Sequence, residues 1–210
     1  INAGGSRITN IAEGALNASS TDAVTGSQIY DLFIEEGAGG VRYFRARSAQ
    51  ADSQALGDES VAIGPRTIAE GDSSFAAGDG AVTTIGATAA IAIGQGATVG
   101  SAAAATPDGE ATIAIGRAAS AAGASTIAFG DGARVGSEFV SNAMAIGTGA
   151  SVTGAQSNQA TAVGFQAIAG AANATAIGAL ASAAGGGSIA IGQATATGGN
   201  AFAAGAGAQA

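Results

Sequence analysis

The 210-residue sequence predicts an all-β solenoid, a parallel β-roll with two short strands in each coil of about fourteen residues. Three observations lead there. Ala and Gly supply 58 and 36 residues, 45% of the chain, while Ile, Val, Leu and Phe together supply only 38. A pentapeptide of the form x-hydrophobic-Ala-hydrophobic-Gly recurs ten times, and a weaker half-repeat that also ends in Gly lies between its copies. So few large apolar residues argue against a conventional single-chain core. Disorder is also disfavoured, because only 10% of residues are charged and Pro65 and Pro107 are the only prolines. The same proline count, with no Gly-X-Y period, excludes collagen.

Residues 1–50 lack the repeat. Thr21-Asp22 reads as a helix start with Asp22 at the N-cap. The stretch 23–36 then brings Val24, Ile29, Leu32 and Phe33 near one stripe. Two heptads are too few for a stable isolated helix, so these four residues are expected to contact other copies of the chain. Gly37-Ala38-Gly39-Gly40 ends the helix, and Val41-Arg42-Tyr43-Phe44 reads as a short strand. Arg42, Arg45 and Arg47 lie close in sequence to Asp52, Asp58 and Glu59, which suggests ion pairs between subunits at this junction. The expected organisation is a helical neck over 1–40, a connector over 41–50 and a repeat domain over 51–210.

Ser60-Val61-Ala62-Ile63-Gly64 is the clearest copy of the repeat. Its central residue is Ala at 62, 76, 92, 114, 128, 145, 162, 176, 190 and 203. The predicted repeat core is Val61, Ala62, Ile63, Phe75, Ala76, Ile91, Ala92, Ile93, Ile113, Ala114, Ile115, Ile127, Ala128 and Phe129 in the first half. Ala145, Ile146, Ala162, Val163, Ala176, Ile177, Ile189, Ala190 and Ile191 continue it. Thr67-Ile68-Ala69-Glu70-Gly71 exemplifies the weaker half-repeat, and residues 53–57 begin that series. Each half-repeat suits a strand of four or five residues, with Gly permitting the turn through positive φ. Ten coils stacked about 4.8 Å apart would reach roughly 48 Å. Longer steps across 101–110, 137–142 and 155–159 read as loop insertions.

Large and small residues alternate in the strong strand, so Val61 and Ile63 point opposite to Ala62. Both faces are apolar, as in strands covered on both sides. One face lines the lumen. The other needs a cover, and another copy of the chain is the simplest. The sequence leaves open which face is which.

The series headed by Ser60-Val61-Ala62-Ile63-Gly64 resembles the YadA-like head of trimeric autotransporter adhesins. Arg7-Ile8-Thr9-Asn10-Ile11-Ala12-Glu13-Gly14, Thr21-Asp22-Ala23-Val24 and Ser27-Gln28-Ile29 resemble that family's neck. Tyr43-Phe44-Arg45-Ala46-Arg47-Ser48 resembles the connector from neck to head, although Arg45 and Arg47 depart from its usual His-Ala-Asn-Ser form. The resemblance implies an intertwined homotrimer of left-handed β-rolls preceded by a short trimeric coiled-coil neck. It implies exposure at the bacterial cell surface and export through a C-terminal outer-membrane barrel that this chain lacks. It also implies attachment to host cells or to extracellular matrix proteins such as collagen and fibronectin.

Other chemistries find little support. The chain has no Cys, His, Trp or Lys, which removes thiolate zinc sites, His or Cys catalysis and a Walker lysine. A formal charge of −8 disfavours nucleic acid. No 18-residue apolar run spans a membrane, and no signal peptide is visible, so the chain reads as a piece of something larger. The carboxylate pairs Asp58-Glu59 and Glu70/Asp72 read as solvated surface. Gly130-Asp131-Gly132 and Gly147-Thr148-Gly149 read as repeat turns rather than phosphate loops. Asp72, Asp79, Asp108 and Asp131 do not make a calcium β-roll array. No catalytic residue, metal or cofactor is expected. An ice- or surface-binding solenoid would need a flat outward Thr ladder, and only pairs such as Thr83-Thr84 and Thr195/Thr197 occur. A hexapeptide-repeat acyltransferase would show a period near six and normally a His. A non-adhesive spacer in the same kind of fibre is the closest alternative to an adhesive head.

Overall fold

The computed structural model describes residues 4–5, 7–33, 47–100, 110–136 and 139–210; over 31–33 it describes the backbone. The chain forms two compact units, Ile1–Ser48 and Ala49–Ala210.

In the first unit, α1 spans Gly26–Phe33. Its start differs from the expected Asp22 cap. Thr25 occupies the N-cap, where its Oγ1 accepts from Gln28 N at 3.2 Å and Gln28 Oε1 accepts from Thr25 N at 3.1 Å. This reciprocal pair is a capping box, which satisfies two helix-start donors at once. Asp22 instead accepts from Ala15 N at 3.0 Å, closing the chain that precedes the helix. Gln28 also receives Gly14 N at 2.9 Å and donates from Nε2 to Gly14 O at 2.7 Å. One amide side chain thus caps the helix and clamps the incoming segment. Residues 34–36 of the expected helix and the expected strand 41–44 lie outside the described residues.

The second unit is a parallel β-solenoid of two ten-stranded sheets among the described residues. Three-residue strands form the first sheet: β2 (Val61–Ile63), β4 (Phe75–Ala77), β6 (Ile91–Ile93), β8 (Ile113–Ile115), β10 (Ile127–Phe129), β12 (Met144–Ile146), β14 (Thr161–Val163), β16 (Thr175–Ile177), β18 (Ile189–Ile191) and β20 (Phe202–Ala204). Two-residue strands form the second: β1 (Gln54–Ala55), β3 (Ile68–Ala69), β5 (Val82–Thr83), β7 (Thr98–Val99), β9 (Ser120–Ala121), β11 (Arg134–Val135), β13 (Ser151–Val152), β15 (Ile168–Ala169), β17 (Ser182–Ala183) and β19 (Thr195–Ala196). Register is strict. Ala128 pairs with Ala114 on one side and Ala145 on the other, so the central alanines form one column.

That column faces the lumen. Ala76, Ala92, Ala114, Ala128, Ala145, Ala162, Ala176 and Ala190 are fully buried, and Ala69, Ala121, Ala169, Ala183 and Ala196 meet them from the second sheet. Thr83, Val99, Val135 and Val152 also point inward from the second sheet, so alanine in every three-residue strand leaves room for somewhat larger side chains opposite it. Lumen hydroxyls are mostly bonded inside the coil. Ser74 Oγ lies 2.7 Å from Thr83 Oγ1, linking the sheets, while Thr112 and Thr126 each donate to Gly123 O at 2.8 Å. Ser157 and Ser188 are buried with no partner for Oγ among the described residues. Thr83 and Thr84 are themselves buried, so the first of the expected outward Thr pairs points inward.

The turns use glycine in two ways. At the end of each three-residue strand, φ is positive, and a Cβ on Gly78 would also stand 2.7 Å from Gly94 O in the next coil. The glycines of the weaker half-repeat mostly lack positive φ, contrary to the turn role expected for them. Gly57 shows the actual constraint, because a Cβ there would come within 2.5 Å of the Gly71 carbonyl carbon. The left-handed residue of that turn comes later and is mostly not glycine, as at Glu59 (φ 56°) and Ser73 (φ 53°), although Gly187 (φ 66°) takes that place in one coil. All three insertions fall between a two-residue strand and the next three-residue strand. Residues 101–109 lie outside the described residues. The other two insertions each send one side chain into the interior, Val140 and Ser157.

Candidate interaction surface

The outward side of the three-residue sheet carries two columns. One runs Val61, Phe75, Ile91, Ile113, Ile127, Met144, Thr161, Thr175, Ile189, Phe202. The other runs Ile63, Ala77, Ile93, Ile115, Phe129, Ile146, Val163, Ile177, Ile191, Ala204. No residue in either column is charged. The larger ones are half-buried or exposed; Val61 keeps 45% of its surface in contact with solvent, Phe129 51% and Phe202 62%. Complete burial of such a side chain contributes about 1.5–3 kcal/mol relative to exposure, so this face leaves on the order of 1 kcal/mol per side chain unrealised. Of the residues expected to form the repeat core, the alanines therefore make the interior of one chain. Their large neighbours make an outer wall with at least one apolar residue on each of ten rungs, Thr161 and Thr175 being its two hydroxyl side chains.

The second sheet is different on its outer side. Its column runs Gln54, Ile68, Val82, Thr98, Ser120, Arg134, Ser151, Ile168, Ser182, Thr195, a mixture typical of solvated surface. Thr195 and Thr197 do lie on this side, but Ile168 and Arg134 interrupt any hydroxyl ladder.

The ion pairs among the described residues sit at the turns. Arg66 grips Asp79 through Nε and Nη2 at 2.7–2.9 Å, and Arg117 Nη2 meets Asp131 Oδ2 at 2.5 Å. Both pairs join equivalent turns of successive coils and are exposed, so each contributes at most about 1 kcal/mol. Opposite charges one coil apart were the sequence signal for them. Arg42 and Arg45 of the suggested junction lie outside the described residues. Arg47 belongs to the first unit, and Asp52, Asp58 and Glu59 belong to the second. Residues 139–210 hold no charge. Among the described residues no three acidic side chains converge on a point that could hold a metal ion.

In the first unit, Val24 and Ile29 are exposed. Leu32 and Phe33 belong to α1, but their side chains lie outside the described residues.

Family models match both units. Residues 7–32 match the coiled stalk of trimeric autotransporter adhesin. Residues 55–81, 108–133, 141–157, 158–181 and 169–195 match the YadA head domain repeat, and these segments cover more than half of the chain. The chain belongs to the trimeric autotransporter adhesins. Its YadA-head repeat segments coincide with the stacked coils, and its stalk segment ends within α1. The chain matches no curated protein sequence.

Proposed function

We propose that the chain is an adhesive head of a homotrimeric surface fibre, and that the apolar outer wall of the three-residue sheet is its subunit interface. The observation that carries this reading is the outer wall, apolar on every rung and broken by Thr161 and Thr175 in one column only, which the described residues leave uncovered, in a protein of this family. Three copies would bury their walls around a common axis and leave the mixed face of the second sheet outward. Val24, Ile29, Leu32 and Phe33 would supply the matching contacts in the neck. The outward faces and the inserted loops would then meet a host cell-surface or extracellular matrix protein, with the trimer displayed outside the bacterial cell. Neither catalysis nor a cofactor has a part in this function.

Sedimentation equilibrium is expected to give three times the chain mass. A monomer that retains its β-structure overturns the interface. The trimer is then tested against immobilised matrix proteins, with a loop-shortened trimer alongside. Saturable binding that weakens in the shortened form supports adhesion. An assembled trimer that binds none of them supports the spacer reading instead.

A further inference from the structure

The sequence holds two Asn-x-Ser/Thr triplets, Asn17-Ala18-Ser19 and Asn173-Ala174-Thr175. This triplet is the acceptor pattern for N-linked sugar when it sits in an accessible loop of a secreted protein. The two copies occupy very different settings.

Asn17, Ala18 and Ser19 are all exposed and form a turn closed by Ser20 N donating to Asn17 O at 3.1 Å. The Asn17 Oδ1 accepts twice from Ser19, from its backbone N at 3.0 Å and from its Oγ at 2.8 Å. Both donors pull electron density toward Oδ1, and Nδ2 forms no hydrogen bond among the described residues. The hydroxyl that the triplet requires is therefore already on the carboxamide that would react. Presenting this segment to an enzyme would break only its own turn.

Asn173 is exposed too, but its triplet is locked. Asn173 N donates to Asn158 O at 2.9 Å, Ala174 is fully buried in the lumen, and Thr175 begins β16, paired on both sides. Thr175 is also one of the residues of the outer wall. An enzyme could draw out this triplet only by unpicking a coil.

We infer that Asn17 is an N-glycosylation site and that Asn173 is not one in the folded protein. The sugar donor is a glycosyl phosphate ester, either nucleotide- or lipid-activated. Asn17 Nδ2 forms a bond to the anomeric carbon as the bond from that carbon to the phosphate oxygen breaks. The phosphate leaves with the electron pair, Nδ2 gives up one proton, and nothing is oxidised or reduced.

Trypsin separates the two triplets, because cleavage after Arg7, Arg42 and Arg134 yields residues 8–42 with Asn17 and residues 135–210 with Asn173. The folded chain is incubated with an Asn-x-Ser/Thr-specific N-glycosyltransferase and a nucleotide-activated hexose, then digested and weighed. One hexose is expected on 8–42 and none on 135–210. Asn17→Gln and Ser19→Ala should each remove it, at unchanged thermal stability, and Asn173→Gln should leave it in place. An unmodified 8–42 peptide, or equal modification of both peptides, overturns the assignment. So does a hexose that survives in Asn17→Gln.

Discussion

The two sheets of the solenoid are alike within and unlike without. Each turns compact side chains toward the lumen, alanine throughout in one sheet and Ala, Thr or Val in the other. Outward, one shows Val, Ile, Phe and Met with no charge, while the other shows Ser, Thr, Gln and Arg among fewer apolar residues. The shared interior reflects a constraint internal to one chain, the short distance between stacked turns. The divergent exteriors reflect what each sheet meets beyond the chain. Composition alone merges these two causes, which is why the protein looks short of a core.

The sharpest test sets the outer faces against each other. Ile127→Asp places one carboxylate per chain in the apolar wall, and a charge enclosed without a partner costs several kcal/mol. The variant should sediment as a monomer where the parent is expected to sediment as a trimer. Ser120→Asp, on the other sheet, should stay assembled and shift stability by less than about 0.5 kcal/mol. Equal effects from both would erase the distinction between the faces.

Overpacking the shared interior comes next. Ala128→Leu adds volume between Ala114 and Ala145 and should lose about 1–3 kcal/mol per chain. Unchanged thermal melting would mean that the lumen is looser than its alanines indicate. A smaller change of opposite sign is expected for Ser188→Ala. It removes a buried hydroxyl with no partner and should raise stability by up to about 1 kcal/mol. A lower melting temperature would show that the hydroxyl has a partner in solution. The smallest effect belongs to replacing residues 101–110 by a short turn. Shortening a loop by half is worth only about 0.6 kcal/mol, so the circular dichroism and melting of the roll should barely move. Loss of folding would make that insertion part of the framework.

Much of this architecture was legible in the sequence, and the gaps have physical reasons. The pentapeptide placed every three-residue strand, because Ala must recur wherever the lumen is narrow and Gly wherever turns stack. The orientation of those strands was not legible, since Val61 and Ala62 are both apolar and alternation alone does not say which side is enclosed. Side-chain size settles it, because the enclosed position of the three-residue strands is alanine in every coil, facing Ala, Thr or Val of the second sheet. Asp22 and Thr25 are both acceptable caps; the deciding signal was Gln28 three residues after Thr25, which completes the reciprocal bond. The turn residues with positive φ at Arg66 and Leu180 had no sequence signature, because the coil ladder imposes the conformation on whatever residue arrives there. For the interaction surface, the sequence supplied the residues of the wall but could not separate wall from lumen.

The coil-to-coil register of this solenoid makes its length a variable independent of its assembly. Removing one whole coil from a single chain would slide every later residue by one rung and misalign it with its neighbours. In the proposed homotrimer, encoded once, all three copies would lose the same rung together and still meet level with level. Gene segments encoding a coil could therefore be gained or lost without redesigning the contact between subunits. Reach from the cell would then be set by how many coils are counted out, while the grip between copies stays the same.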